Sequence, residues 1–236
     1  MTITKQMLPF LANNRMKNSK QWYSDHKDEY KKHVYTPLAD ITRALAPTVA
    51  KIDSLIVTEP RYVISRIYRD TRFSKDKSTL YRDNMWLTFK RPSARWSCSP
   101  AFYFEIMQNG WRYGMGYYCA TSQTMALYRN YISQYPDDFR KIIKPLKNLY
   151  SETEQYKRKP KGECPDDLLE WFVSKSVHVT KWENDIDKLF QEDYLEDIKT
   201  GFLQAAPLYN FLMELGNTSI PESESYIPKN NVEFEW

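Results

Sequence analysis

Residues 101–118 have the sequence AFYFEIMQNGWRYGMGYY, and this stretch decides the fold class. On both sides of Asn109-Gly110, apolar or aromatic residues alternate with polar residues or glycine, which is the pattern of two half-buried strands. Asn-Gly between two such runs is the strongest short signal for a tight β-hairpin turn. The sequence therefore predicts an antiparallel hairpin at the centre of the chain.

A two-residue turn formed by Asn109 and Gly110 would fix which residues lie opposite each other. Alternation then places Phe102, Phe104 and Ile106 on a core face, and Tyr103, Glu105 and Arg112 on the other face with two glycines. Strand glycines often mark close approach by a backbone or a ligand. The predicted pairs are Gln108 with Trp111, Met107 with Arg112, Ile106 with Tyr113, Glu105 with Gly114, Phe104 with Met115, Tyr103 with Gly116, and Phe102 with Tyr117.

Strand-like and helical patterns surround the hairpin. The runs RYVISRIY (61–68) and NMWLTF (84–89) are typical of further strands, and residues 173–179 indicate another. Helical spacing dominates residues 18–52, 121–134 and 137–150 and, with interruptions near Gly201 and Pro207, residues 186–215. We expect a single-domain α+β fold over residues 1–216, with a central, mainly antiparallel sheet flanked by helices. Residues 217–236 carry little core-forming pattern, and we expect this tail to pack on a surface.

The first long helical stretch has a start signal and a proline. Asn18 followed by Gln21 resembles a capping box. Pro37 predicts either a kink in one long helix or the start of a second helix capped by Thr36. On either interpretation, Trp22 and Tyr30 belong to an apolar stripe and are expected to pack in the core.

Composition excludes several classes of protein. No apolar run approaches the ~20 residues that span a bilayer, and the first residues lack a signal-peptide pattern, so we expect a cytoplasmic protein without membrane contact. The three cysteines, Cys98, Cys119 and Cys164, form no CxxC pair, and three histidines are scattered. The sequence therefore predicts no metal site and no cofactor, contains no common nucleotide or hydrolase motif, and indicates neither an enzymatic reaction nor an oligomeric state.

Positive charge is concentrated between Arg61 and Arg82. This segment holds seven basic residues against two acids, Asp70 and Asp76, a local charge of +5 in a chain whose net charge is +4. The rest of the chain is therefore net −1. Guanidinium groups present a rigid fork that suits carboxylate or phosphate groups, and nearby hydroxyls add hydrogen-bond donors.

The motif RIYRDTRFSKDKS (66–78) closely resembles the hallmark of DUF2461, a widespread bacterial family of uncharacterised proteins. Further landmarks follow in the expected order, so the resemblance covers roughly residues 8–215. After Lys77, STLYRDNMW (78–86) replaces the more usual Thr-Pro-Tyr-Lys stretch. The resemblance implies no activity, cofactor or catalytic residue. The other landmarks are FLANN (10–14), QWYSDHKDEY (21–30), YGMG (113–116), YKRKPKG (156–162) and LLEWFVSKSV (168–177).

Three hypotheses for function follow from the basic segment. The leading one is a pocket for a small anionic ligand, with Glu105 beside the ligand and Lys175, from the Lys-Ser landmark, as a further cation. The second is a nucleic-acid-binding module in which Tyr68, Phe73 and Tyr81 stack on bases. The third is a structural or interaction protein whose arginines pair internally with carboxylates. The candidate ligand-binding residues are Arg66, Arg69, Arg72, Lys75, Lys77, Glu105 and Lys175.

Overall fold

The computed structural model describes residues 3–72, 75–92, 98–191 and 193–218 of the chain. It is an α+β domain with a five-stranded antiparallel sheet in the order β1-β2-β3-β5-β4, which confirms the expected fold class. The predicted packing of the tail concerns residues that, from 219 onward, lie outside the described residues. The strands are β1 Met85–Phe89, β2 Pro100–Met107, β3 Gly110–Tyr117, β4 Tyr150–Ser151 and β5 His178–Glu183.

Helices precede, follow and interrupt the sheet. The longest, α9, packs on β2 and β3 and on the N-terminal helix α4, so the core lies between one face of the sheet and these helices. The α-helices are α1 Met7–Lys17, α2 Lys20–Asp25, α3 Lys27–Tyr30, α4 Thr36–Ile52, α5 Pro60–Val63, α6 Ser122–Gln134, α7 Pro136–Ile143, α8 Leu169–Phe172 and α9 Tyr194–Thr218. A π-helical turn spans Lys31–Tyr35, and 3₁₀ turns span Asp166–Leu168 and Ile186–Phe190.

The central hairpin forms with the predicted faces but not with the predicted register. Met107 lies opposite Gly110, so the two-residue loop is Gln108-Asn109, and Glu105 pairs with Arg112 instead of Gly114. Gly110 is the first residue of β3, at φ 145°, and a Cβ atom there would lie 2.5 Å from the carbonyl oxygen of Glu183. Because Gly110 is required for this approach of β5, the turn falls one residue earlier than its sequence suggests.

The run RYVISRIY is not a strand, and this prediction was wrong. It begins with a helical turn, α5, in which Pro60 occupies the first turn, a position that proline favours. Beyond it the chain is extended but makes only single bridges, from Ile64 to Leu87 and from Tyr68 to Tyr81. Val63 and Ile67 are the buried residues of this run, whereas Arg66 is exposed. Strand alternation therefore does not set the direction of the Arg66 side chain.

The helical ends also differ from expectation in detail. Asn18 is the left-handed C-cap of α1, at φ 48°, and the N-cap of α2 is Ser19, whose hydroxyl accepts the Trp22 backbone N–H. Pro37 lies within continuous helix, because the π-helical turn leads directly into α4. Gly201 and Pro207 do not interrupt α9, and the strand expected at 173–179 begins only at His178. Trp22 and Tyr30 pack against the core as expected.

The second face of the sheet carries polar and aromatic side chains. Phe102, Phe104 and Ile106 of β2 are fully buried on the core face, and the residues between them are half-buried. The residues on the second face of the described strands include Trp86, Tyr103, Glu105, Arg112, His178 and Trp182.

Candidate functional site

A short two-stranded ribbon holds the basic segment beside β1. The Arg69 N–H donates to the Leu80 carbonyl at 2.8 Å, and the Arg82 N–H donates to the Ile67 carbonyl at 2.9 Å. Tyr68 and Tyr81 lie opposite each other between these two hydrogen bonds. Alternation then places Arg69 and Arg82 on the same side of the ribbon.

Two of the predicted arginines are bound to carboxylates within their own loop. Arg69 Nη1 lies 3.1 Å from Asp76 Oδ2. Arg72 donates from Nε and Nη2 to the two oxygens of Asp70, at 3.0 and 2.7 Å. Hydrogen bonds from Arg72 lower the pKa of Asp70 to about 2. These ion pairs favour the third hypothesis for Arg69 and Arg72.

Asp76 organises the far end of the loop. Its carboxylate accepts the Ser78 hydroxyl at 2.6 Å, the Thr79 hydroxyl at 2.5 Å and the Ser78 backbone N–H at 2.9 Å. These bonds, with the one from Arg69, hold the pKa of Asp76 well below its usual range. Asn18 braces the same loop from the end of α1, because its amide donates to the Ser78 carbonyl and accepts the Leu80 N–H.

Arg66 and Arg82 differ from their neighbours because neither lies within 4.0 Å of a carboxylate among the described residues. Arg66 is exposed. Arg82 is half-buried: its Nε donates to the Tyr68 carbonyl at 3.3 Å, and its guanidinium stacks on Trp86, 4.5 Å from the ring centroid. Burial and then the positive charge of Arg69 lower the pKa of Arg82, and Arg66 adds to this effect, while the carboxylates of Asp70 and Glu105 act in the opposite direction. The guanidinium groups of Arg69 and Arg66 therefore each lie close enough to Arg82 to act on its charge.

Of the three predicted lysines, Lys175 lies away from this cluster. Lys75 and Lys77 are exposed on the loop. Lys175 donates to Glu154 at 2.8 Å. Because Glu154 follows β4 while Arg66 follows the bridge to β1, Lys175 and Arg66 lie at opposite edges of the sheet.

Glu105 is held by partners other than the basic segment. Arg112 Nε and Nη2 each lie 2.7 Å from Glu105 Oε2, and the Asn84 amide donates to Oε1 at 2.7 Å. The side chain of Glu105 is only 13% exposed. Arg112 also lies over the Trp182 ring, 4.6 Å from its centroid. The structure therefore places Glu105 in an ion pair with Arg112 across the hairpin. The predicted register had placed Arg112 opposite Met107 instead.

A tyrosine and a histidine meet on the same face of the sheet. The Tyr103 hydroxyl lies 2.6 Å from His178 Nε2, and His178 Nδ1 lies 3.2 Å from the Glu152 carbonyl oxygen. Because a carbonyl only accepts, Nδ1 carries the proton and the Tyr103 hydroxyl donates to Nε2. Burial lowers the pKa of His178 and raises that of Tyr103, which stabilises this neutral arrangement. The Tyr103 hydroxyl occupies the space above Gly114 that the sequence suggested for a ligand.

Sequence reasoning missed Arg82, Trp86, His178 and Trp182 as members of this surface. The signal was the alternation in β1 and β5, which places Trp86, His178 and Trp182 on the face of Tyr103 and Glu105. Arg82 was counted in the charge of the basic segment, but it was not among the candidate ligand-binding residues. Among the described residues, no group of three His, Cys, Asp or Glu side chains could hold a metal ion.

An open groove of about 500 Å³ lies between α1 and the loop that precedes β1. Thr79 is the residue of the basic segment that lines this groove. Arg15 and Asp83, which also line it, form an ion pair at 3.3 Å. The guanidinium cluster is therefore outside the groove. The other residues that line it are Ala12, Met16, Asn18 and Gln108.

The chain is an α+β protein in which one face of the antiparallel sheet carries polar and arginine side chains. The family model described as "Conserved hypothetical protein (DUF2461)" matches residues 6–211, and the chain belongs to this family. A search of curated proteins finds no match. In the part of the chain that the structure describes, no helix is long and apolar enough to cross a bilayer.

Proposed function

We propose that the protein binds a small molecule bearing a phosphate or carboxylate group through Arg66, Arg69 and Arg82. The observation that supports this most directly is that Arg82 lies near both Arg69 and Arg66, while neither Arg66 nor Arg82 has a carboxylate within 4.0 Å among the described residues. Neighbouring guanidinium groups repel one another, and an anion between them would relieve this repulsion. The proposed ligand group therefore lies where the guanidinium groups of Arg66 and Arg69 approach that of Arg82.

The carboxylates of the loop position this site. Arg69 Nη1 lies 3.1 Å from Asp76 and donates to the Thr79 carbonyl at 3.3 Å, and these contacts orient the guanidinium group. Asp70 holds Arg72, so Arg72 stabilises the loop in this proposal. Lys75 and Lys77 contribute long-range attraction for the anion, which increases the rate of association more than the affinity.

The test is the thermal midpoint in phosphate, with chloride added to match ionic strength in the reference sample. A ligand that binds only the folded state stabilises it by RT ln(1 + [L]/Kd), about 1.4 kcal/mol at a tenfold excess over Kd. We expect a rise of about 3–6 °C for a chain of this size. The Arg66→Gln variant should lose this rise while its own stability falls by less than about 0.5 kcal/mol, because Arg66 is exposed.

Arg61→Gln is the matched control. Arg61 is also exposed and belongs to the same segment, but its guanidinium stacks on Tyr62, 4.5 Å from the ring centroid. It should keep the full response to phosphate. The absence of any rise in the wild-type protein, or an equal rise in Arg66→Gln, would reject the site.

Acetate and a single-stranded polynucleotide complete the comparison. Acetate in place of phosphate separates a carboxylate site from a phosphate site. A polynucleotide whose affinity falls steeply with salt would instead favour the nucleic-acid hypothesis. That hypothesis has lost one of its stacking residues, since Tyr81 is fully buried, while Tyr68 is 43% exposed.

A further inference from the structure

We propose that residues 219–236 bind in cis to a basic loop formed by residues 157–161. The loop, KRKPK, carries four positive charges on Lys157, Arg158, Lys159 and Lys161. Residues 219–236, SIPESESYIPKNNVEFEW, carry four glutamates and one lysine, a net charge of −3. Charge complementarity therefore favours an acidic segment of this chain as the occupant of the loop.

The loop is a concentrated cationic surface. All four cations are exposed, and none lies within 4.0 Å of a carboxylate among the described residues. By contrast, two other basic residues form ion pairs. Lys175 pairs with Glu154, and Arg140 pairs with both Asp137 and Asp167. The cations of the loop therefore lack an ion-pair partner in the described part of the chain, whereas Lys175 and Arg140 have one.

The loop has a fixed position on the helical layer. Tyr156, which precedes it, donates its N–H to the Val173 carbonyl at 2.8 Å. The Ser133 hydroxyl donates to the Glu163 carbonyl at 2.6 Å, after the loop. Lys159 lies over the Phe172 ring, 5.9 Å from its centroid. Both ends are therefore fastened to α6 and α8, and the cations project from a rigid base.

The last described helix ends in the same region. Phe211 of α9 packs on Tyr131 of α6 and Phe139 of α7, with ring centroids 4.6 and 5.9 Å apart. Phe139 in turn contacts Trp171 of α8, next to Phe172. The C-terminal part of α9 and the basic loop are thus linked through these shared helices, and α9 continues for seven residues beyond Phe211. Eighteen residues span at most about 60 Å when extended, which is ample for this distance.

Aromatic residues add to the match. The tail ends in VEFEW, in which acidic and apolar side chains alternate. Beside the loop, Tyr156 is 44% exposed, and Tyr135 at the end of α6 is 51% exposed. An acidic, aromatic segment can pair its carboxylates with the cations and cover these rings. A polyanion such as a nucleic acid matches the charge but not this alternation.

Zero-length carbodiimide crosslinking of the full chain tests the contact directly, because it joins a lysine to a carboxylate only when the two touch. We expect intramolecular crosslinks from Lys157, Lys159 or Lys161 to Glu222, Glu224, Glu233 or Glu235, identified by mass spectrometry. Their yield should be independent of protein concentration and should fall at high salt. Tail crosslinks confined to lysines elsewhere, including Lys75 and Lys77, or formed only between molecules, would overturn the proposal.

Trypsin cleavage at the loop provides a second readout on the full chain. Changing the four tail glutamates to glutamine should speed cleavage after Lys157, Arg158 and Lys161 several-fold. The matched control neutralises four exposed acids elsewhere, Asp28, Glu29, Glu59 and Asp187, and should leave the rate unchanged. Equal rates in the wild type and the tail variant, or equal polynucleotide binding by both, would overturn the proposal. Neither measurement involves Arg66, so its outcome is separate from that of the proposed phosphate site.

Discussion

Gly114 shows how a single missing side chain shapes the polar face of the sheet. A Cβ atom there would overlap the carbonyl oxygen of Val179 and would lie 2.8 Å from the Tyr103 hydroxyl. We expect Gly114→Ala to lower the free energy of unfolding by about 2–3 kcal/mol, the usual cost of overpacking. Urea titration measures this loss.

The control is Gly216→Ala in α9, where a Cβ atom would meet nothing within 4 Å. Because alanine has the higher helix propensity, this change should raise stability by up to about 0.5 kcal/mol. Equal effects at the two glycines would contradict the packing shown for Gly114.

His178 predicts a pH dependence of stability. Burial lowers its pKa in the folded state below the ordinary value of 6.5, so the unfolded chain binds the proton more readily. The contribution of neutral His178 to the free energy of unfolding is therefore complete above pH 6.5, and it is lost as the pH falls below that value. Urea unfolding between pH 7.5 and 5.5 should show a decline that His178→Gln reduces and His26→Gln leaves intact. An unchanged slope in His178→Gln would contradict this.

At the scale of elements, Ser19 links the start of α2 to the end of α1. Its hydroxyl accepts the Trp22 N–H, one of the N–H groups that a helix start leaves unpaired. We expect Ser19→Ala to cost about 1 kcal/mol of unfolding free energy. Ser24→Ala, an exposed position inside the same helix, should change it by less than about 0.5 kcal/mol. A larger loss at Ser24 than at Ser19 would reject this cap.

Strand faces could be predicted from the sequence, but strand register could not. Alternation depends only on neighbours along the chain, so Phe104 and Glu105 were assigned to their correct faces. The register depends on where the turn falls, and Gly110 was placed in the turn although it lies against Glu183 of β5. That contact joins residues more than 70 positions apart, which no local pattern records. Pro60, by contrast, was a local signal for α5 that strand propensity in the following residues concealed.

The same distinction applies to the candidate site. The ion pairs of Arg69 with Asp76 and of Arg72 with Asp70 join residues close in sequence, and internal pairing was one of the hypotheses from sequence. The Glu105–Arg112 pair required the correct hairpin register. The separation of Lys175 from Arg66 required the order of all five strands.

At the scale of the whole molecule, Asp53 joins three distant parts of the chain. It caps the end of α4, accepts Arg91 Nε at 2.6 Å from the segment after β1, and accepts the Tyr209 hydroxyl at 2.5 Å from α9. The Asp53 side chain is only 5% exposed. Burial alone would raise its pKa, but the bonds from Arg91 and Tyr209 outweigh this and lower it. The helical layer and the sheet are therefore connected through one buried carboxylate.

Replacing Arg91 should leave the buried carboxylate of Asp53 without its charged partner. We expect Arg91→Ala to lower the free energy of unfolding by about 3 kcal/mol, near the lower end for a buried pair because Arg91 itself is partly exposed. The double variant Asp53→Asn with Arg91→Ala should recover part of this loss, since an amide is less costly to bury than an unpaired carboxylate. Arg43→Ala, which breaks the exposed pair with Asp40, should cost less than about 0.5 kcal/mol.

The sign of the pH dependence separates this interaction from simple loss of packing. The pKa of Asp53 is lower in the folded state than its ordinary value of 3.8, so its contribution is complete above that pH and decreases as the pH falls below it. Wild-type stability should therefore fall more steeply on acidification below pH 4 than that of the double variant, in which this carboxylate is absent. Parallel acid profiles, together with no recovery in the double variant, would show that Arg91 acts through packing rather than through its charge.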